Sequence, residues 1–282
     1  MYKKMQEIDS IYDLPDFFNF NTPYVIRGGC KSMKIFSQKS PLNYFYEKLK
    51  NKKVSTEIYD SIEDMESTDV KNMENKLFKY SFNHIKNNKT PYHYIADFDL
   101  RDLNINSDIL SYFEYSMDSK RKNEGVLLFF GNNSRSGAHI HTSNDYILNQ
   151  IHGKKTILMC NYYDNNLNTF NILSERANFL KDNIFKLDHS KYIFYKVELN
   201  PGDSLTIPPW WWHAAKADGL SMSITKTYNR TNNYFRFFYP RIFLINIVEE
   251  LEEVFFYFFT YIERITLIIA VIILLISYVY LK

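Results

Sequence analysis

Imidazoles at even spacing on an extended chain can share a metal ion. This chain offers two pieces of that kind, Gly137-Ala138-His139-Ile140-His141 and Pro208-Pro209-Trp210-Trp211-Trp212-His213. On a strand, residues i and i+2 point to the same face about 6.5 Å apart. His139 and His141 therefore share one face and Ile140 takes the other. His213 opens a second strand after Pro208 and Pro209, whose fixed φ holds an extended entry. Three imidazoles meeting at one point suit Fe, Ni, Cu or Zn. Asp145 is the nearest carboxylate, but four residues beyond His141, through a strand and its turn, it is too far to assign. The remaining histidines, His84, His93, His152 and His189, lack this spacing and read as structural or exposed.

The elements that must position these residues are mostly strands. Thr22 to Gly29 is a β-branched run closed by glycines, and residues 91–96 form a second candidate strand. From residue 125 short strands dominate: 126–130, 139–142, 146–151, 156–161, 192–199, 204–207, 213–216 and 220–228. Turn residues such as Gly131-Asn132-Asn133-Ser134 and Asn200-Pro201-Gly202-Asp203 separate them. That succession predicts a mainly β fold, a double-stranded β-helix or jelly roll, with flanking helices. Ser40 followed by Pro41 is a helix start over residues 40–53, and residues 77–90 have helical spacing. Residues 54–76 read as an exposed loop with a charged helix, and 165–190 as a helical interruption. The organisation expected is flanking elements over 1–124, a jelly-roll core over 125–235, a stalk or interfacial helix over 240–264, and a membrane span over 265–281.

Length and composition narrow the function classes. The 282 residues suit one domain of roughly 200–250 residues plus an appendage. Hydrophobic residues at 45% exclude a globally disordered chain. The 34 basic residues are offset by 32 acidic ones, and no basic stripe interleaved with aromatics exists, so there is no nucleic-acid signal. Cys30 and Cys160 are the only cysteines, which fits a reducing compartment. The N-terminal stretch is charged and carries no apolar core segment. Ile265 to Leu281 carries no charge and would span about 25 Å as a helix. Tyr278, Tyr280 and Lys282 sit where interfacial anchors belong. The expectation is a single-pass C-terminal anchor with the main domain in the cytosol.

The run NPGDSLTIPPWWWHAAKADGLSMSITKTY resembles the closing segment of JmjC-domain, cupin-like oxygenases, and GAHIHTSNDYILNQIHGKKTILMC resembles their first metal motif followed by Gly-x-Lys. TPYVIRGG and PYHYIADFDL resemble the family's opening strand and its Tyr-rich strand. The resemblance covers roughly residues 10–235. It implies Fe(II) held by His139, His141 and His213, with 2-oxoglutarate as co-substrate. It also implies that Lys155 pairs with the distal carboxylate of 2-oxoglutarate, that Ser136 and Thr225 supply hydroxyls, and that Tyr94, or Tyr92 beside it, lines the pocket. The three tryptophans read as packing at the barrel mouth, and Asp203 as a turn residue.

The chain departs from the family at His141, where active members usually carry Asp or Glu. Three readings stay open. One is an oxygenase dependent on Fe(II) and 2-oxoglutarate that hydroxylates a protein side chain, or demethylates one through hydroxylation. Another is a three-His cupin-type metalloprotein with Zn, Ni or Cu. The third is an inactive, membrane-anchored binding module. The anchor is checked by fractionation: the full chain is expected in the membrane pellet after alkaline carbonate washing, and a chain ending at residue 240 in the supernatant.

Overall fold

In the computed structural model, the residues described are 2–9, 22–66, 72–101, 123–141, 144–162, 165, 167–168 and 178–229. The stalk expected over 240–264 and the span expected over 265–281 lie outside them. Among the described residues no helix is long and apolar enough to cross a membrane.

The strands are β1 (Lys3–Lys4), β2 (Gln6–Ile8), β3 (Tyr24–Ile26), β4 (Lys53–Tyr59), β5 (Asn72–Leu77), β6 (Tyr92–Asp99), β7 (Asn123–Asn132), β8 (Asn144–His152), β9 (Lys155–Asn161), β10 (Tyr195–Leu199), β11 (Ser204–Ile207), β12 (Trp211–Lys216) and β13 (Leu220–Asn229). Among the described residues they form two sheets. One has four strands in the order β1-β10-β9-β12, and the other nine in the order β2-β3-β11-β8-β13-β7-β6-β4-β5. The fold is mainly β, a jelly-roll sandwich with few helices. The larger sheet takes strands from both sides of residue 125.

Among the described residues three α-helices lie beside it: α1 (Pro41–Leu49), α2 (Ile62–Glu66) and α3 (Phe78–Lys86). The α1 start follows from its sequence. Ser40 Oγ accepts from the Asn43 N–H at 3.3 Å, and Pro41 takes the first turn, where its missing N–H is no loss. The apolar faces of α1 and α3 bury Phe45, Phe78 and Phe82 against Phe130, Ile95 and Ile224 of the large sheet. Each such side chain contributes about 1.5–3 kcal/mol by leaving water. The other face of the small sheet is covered by Trp212, Leu158, Cys160, Phe194 and Ile184.

Three local expectations are corrected. The charged helix expected within 54–76 is present as α2, but the exposed loop is not: β4 and β5 pair antiparallel over Lys53↔Leu77 to Ile58↔Asn72 on either side of it. The pattern was hidden because β5 is an edge strand with exposed side chains over Asn72–Asn75 and lacks an apolar alternation. The described part of 165–190 (residues 178–190) forms turns and short bridges, not a helix. The rest of that segment is almost wholly outside the described residues. His139–His141 is not a regular strand; it is an extended piece joined to its neighbours by isolated bridges.

The β8–β9 hairpin carries the strictest backbone requirement. Its two-residue turn is Gly153-Lys154, and Gly153 has φ +68°. A Cβ there would lie 2.0 Å from the Leu220 carbonyl oxygen. Gly153→Ala is expected to cost about 2–3 kcal/mol, read as a fall in Tm of roughly 4–10 °C.

Candidate metal centre

The two histidine pieces meet through backbone pairing. The extended piece 135–141 runs antiparallel to β12. The His139 N–H donates to the His213 carbonyl at 3.0 Å, and the His213 N–H donates to the His139 carbonyl at 2.9 Å. Two residues that exchange both bonds are directly opposed, and their side chains leave the sheet on one side. The two rings accordingly lie with centroids 4.2 Å apart. His141, two residues on, returns to the same side, with centroids 4.9 Å from His139 and 5.0 Å from His213. One ligand atom from each of the three lies within 4.8 Å of the others.

The hydrogen bonds around the rings decide which nitrogen faces the centre. His139 Nδ1 is 3.0 Å from the Gly137 carbonyl, and His213 Nδ1 is 3.0 Å from the Trp211 carbonyl. A carbonyl only accepts, so each Nδ1 carries the proton and each Nε2 keeps its lone pair. The His141 ring stacks on Tyr146, with centroids 3.8 Å apart and planes 19° apart. All three stay neutral. Burial pushes the His213 pKa down to about 3, helped by the neighbouring His139. Burial also lowers His139, and it holds His141 well below the ordinary histidine value, with His139 and His213 adding to the effect. Neutral imidazole with an open Nε2 is the form a divalent metal takes. The donor set fits such an ion.

The histidines open into a cavity of about 520 Å³ between the two sheets. Lys155 lies in it, 5% exposed. The tight turn at Gly153-Lys154 sets the alternation. Lys154 points out to Glu198 at 3.1 Å, while Lys155 and Ile157 point in. Lys155 Nζ donates to Ser223 Oγ at 2.6 Å, joining the small sheet to the large one. It also stands 5.9 Å from the Phe129 ring centroid. Thr225, two residues from Ser223 and on the same face, lines the cavity. Ser136 lines it too, but its Oγ accepts from the Ala215 N–H at 2.8 Å, which ties it to the β12 pairing. Tyr94 lines the cavity and Tyr92 does not contribute to its wall.

Several expectations about neighbours are settled by placement. Asp145 is fully buried and is not part of the cavity wall, so it supplies no carboxylate there. Trp211 and Trp212 are buried in the cores on the two faces of the small sheet, and none of the three tryptophans lines the cavity. Asp203 holds the turn before β11 by accepting from the Gly28 N–H at 2.9 Å and the Asn200 N–H at 3.0 Å.

Sequence reasoning missed Ser223, Glu57, Tyr59, Asp97 and Arg135, all of which touch or line the cavity. Ser223 had a signal in its spacing from Thr225. Glu57 and Tyr59 had one in the alternation of Val54, Thr56 and Ile58, which are buried on the opposite face of β4. Arg135 is held by Glu66 at 3.9 Å and Asp218 at 3.1 Å, and it donates to the carbonyls of Asn133 and Ser134.

A jelly roll that carries three inward imidazoles on paired extended segments, open to a cavity between its sheets, is the build of a metal-binding cupin. The chain belongs to the cupin-like domain family, whose profile matches residues 14–241. Comparison with curated proteins gives no match.

Lys155 supplies a stability test. Burial pushes its pKa down to about 8, against about 10.4 for an unfolded lysine. Between those values the unfolded chain binds more protons than the folded one, so stability rises with pH across this window. The unfolding free energy of the wild type relative to Lys155→Met is expected to rise by about 2 kcal/mol between pH 7.5 and pH 10. Denaturant melts of both proteins at the two pH values measure it, and a constant difference contradicts the buried, deprotonating lysine.

Proposed function

We propose that the chain is an oxygenase dependent on Fe(II) and 2-oxoglutarate that hydroxylates a protein side chain, or removes an N-methyl group by hydroxylating it. The observation that carries this reading is the sharing of one cavity by three neutral imidazoles and the buried Lys155. His139, His141 and His213 hold the metal through their inward nitrogens. Lys155, with the Ser223 and Thr225 hydroxyls beside it, holds the distal carboxylate of 2-oxoglutarate. When bound, the iron and 2-oxoglutarate together supply the activation of O2 for C–H hydroxylation.

The chain's own residues bind, orient and exclude water. The carbonyls of Gly137 and Trp211 keep the His139 and His213 rings in one tautomer and one orientation. Tyr146 fixes the plane of His141. Ile157, Leu148, Ile207 and Phe179 give the cavity apolar wall near the histidines. Such walls strengthen charge–charge contact between Lys155 and a bound carboxylate. Lys155 must be protonated to make that contact, so the contact weakens as pH rises through about 8.

One observation favours a second reading. His141 stands where the usual iron triad has a carboxylate, so the donor set is neutral. Three neutral imidazoles select less strongly for iron and accept Zn, Ni or Cu. On that reading the chain is a three-His cupin metalloprotein with other chemistry.

The test uses the purified full chain. Under anaerobic Fe(II), addition of 2-oxoglutarate is expected to give a visible charge-transfer band, and air is then expected to release succinate. Lys155→Ala is expected to weaken 2-oxoglutarate binding about tenfold or more without loss of metal. His139→Ala and His213→Ala are expected to lose most of the bound metal. Zn, Ni or Cu bound with no response to 2-oxoglutarate overturns the first reading in favour of the second. Unchanged metal content in both histidine variants overturns the two metal readings and leaves the inactive module.

A further inference from the structure

The large sheet ends on an open edge. β5 pairs with β4 alone, so alternate N–H and C=O groups along Asn72–Leu77 point away from the sheet, and among the described residues they meet no further strand. The other described edges are shorter or covered. β1 has two residues and β2 three, and β12 is flanked by the 135–141 piece. β5 carries no proline, and its six residues pair with β4 without a bulge. Among the described residues the large hydrophobic side chains left exposed are Tyr2, Met73 and Tyr80. Met73, 62% exposed, lies on β5, and Tyr80 lies in the first turn of α3, which follows it. Met73 is thereby free to pack on a strand added at this edge.

The side chains of β5 decide which strand fits. Met73, Asn75 and Leu77 lie on one face, and Asn72, Glu74 and Lys76 on the other. Glu74 and Lys76 form an ion pair at 2.6 Å. The hydrogen bond from Lys76 lowers the Glu74 pKa and keeps that carboxyl ionised. A second copy laid antiparallel and centred on Asn75 sets each Glu74 opposite the other copy's Lys76. Two acids and two lysines then alternate in sign around a square, and on the other face Met73 meets Leu77. Only alternate residues present outward N–H and C=O groups, so the neighbouring registers are centred on Glu74 or on Lys76. The first sets Glu74 against its own copy and the second sets Lys76 against its own copy. Like charges directly opposed are destabilising, whereas opposite charges favour the pairing. The Asn75-centred register is therefore preferred, and it is self-complementary, as a twofold interface requires.

We propose that β5 pairs antiparallel with β5 of a second copy of this chain, centred on Asn75, and joins the two large sheets across a twofold axis. The pairing does not depend on the metal centre. β4 lies next to β5 and carries Glu57 and Tyr59 on the cavity wall, so each cavity stands one strand from the interface. A six-residue edge buries less area than a standard interface, so the dissociation constant expected is on the order of 10 μM.

The test is sedimentation equilibrium of the full chain in a mild detergent, from about tenfold below to about tenfold above that concentration. The wild type is expected to pass from monomer to dimer, and a chain that stays monomeric throughout overturns the inference. Glu74→Lys puts lysines at all four corners of the square, and Lys76→Glu puts acids there. Each variant alone is expected to dimerise about tenfold or more weakly than the wild type. Mixed in equal amounts, with one of them fluorescently labelled, the two are expected to regain the wild-type affinity, because each acid again faces a lysine. A variant that had merely misfolded could not do so. Asn75→Cys sets two thiols opposite one another with Cα atoms about 5 Å apart, within disulfide reach. Mild oxidation is expected to link that variant into a covalent dimer, since Cys30 and Cys160 are buried. Met73→Cys, whose two copies stand about 13 Å apart along the strands, is expected to stay unlinked. Association that survives both charge reversals overturns the inference. So does a mixture that fails to associate, or linking through Met73→Cys in place of Asn75→Cys.

Discussion

The pair of backbone hydrogen bonds between His139 and His213 is the join on which the centre depends. It fixes two ligand-bearing backbones opposite one another, and the i, i+2 rule then brings His141 to the same side. The join holds because β12 is a secure template. On its other edge β12 pairs with β9 over six residues, from Trp211↔Asn161 to Lys216↔Thr156. Trp211 and Trp212 bury on opposite faces of the small sheet, which locks the strand against a one-residue slip. A slip of one residue would turn His213 to the face that Trp212 now fills and destroy the centre. The aromatic bulk of this stretch therefore acts on the chemistry through register, without touching the cavity.

The cavity combines elements from both sheets, and its polarity is divided between them. The small sheet and the 135–141 piece bring the histidines and Lys155; β4 and β6 of the large sheet bring Glu57, Tyr59, Tyr94 and Asp97. Lys155 and Ser223 bridge the two layers at 2.6 Å. Each polar group in this space carries a cost in the low dielectric of the interior, which is met by a partner or by a neutral protonation state. The histidines meet it by staying neutral, Lys155 by its bond to Ser223 and a lowered pKa.

Two features of the wall show how local geometry overrides local pattern. At Gly153 the turn demands a residue without a side chain, because the Leu220 carbonyl occupies the space. That turn sets which of two adjacent lysines enters the cavity. At Asp97 the opposite device operates: a bulge breaks the alternation and brings an extra acid inward. Arg135 shows a third case, a half-buried cation engaged with Glu66, Asp218 and backbone carbonyls, and so holding the loop geometry next to the histidines.

Residue type and short-range spacing were enough to name His139, His141 and His213 and to predict a mainly β jelly roll, while Lys155 and Thr225, which line the same cavity, came from the family resemblance. Those features depend on period-2 alternation, on turn residues and on the order of two motifs, all written within a few residues of each other. The helix start at Ser40-Pro41 was legible for the same reason. The meeting of Glu57, Tyr94 and Asp97 on one cavity wall was not, because these residues become neighbours only through pairing of β4 with β6 and of β6 with β7, strands separated by long stretches of chain. The β4–β5 hairpin was hidden by its exposed edge, which places no demand on apolar pattern. The direction of Asp97 was decided by a register slip that no local propensity encodes. The sequence by itself therefore determined which metal-binding groups the chain has, while the tertiary structure decided what else shares their cavity, since burial and cross-sheet register arise only when the whole sandwich closes.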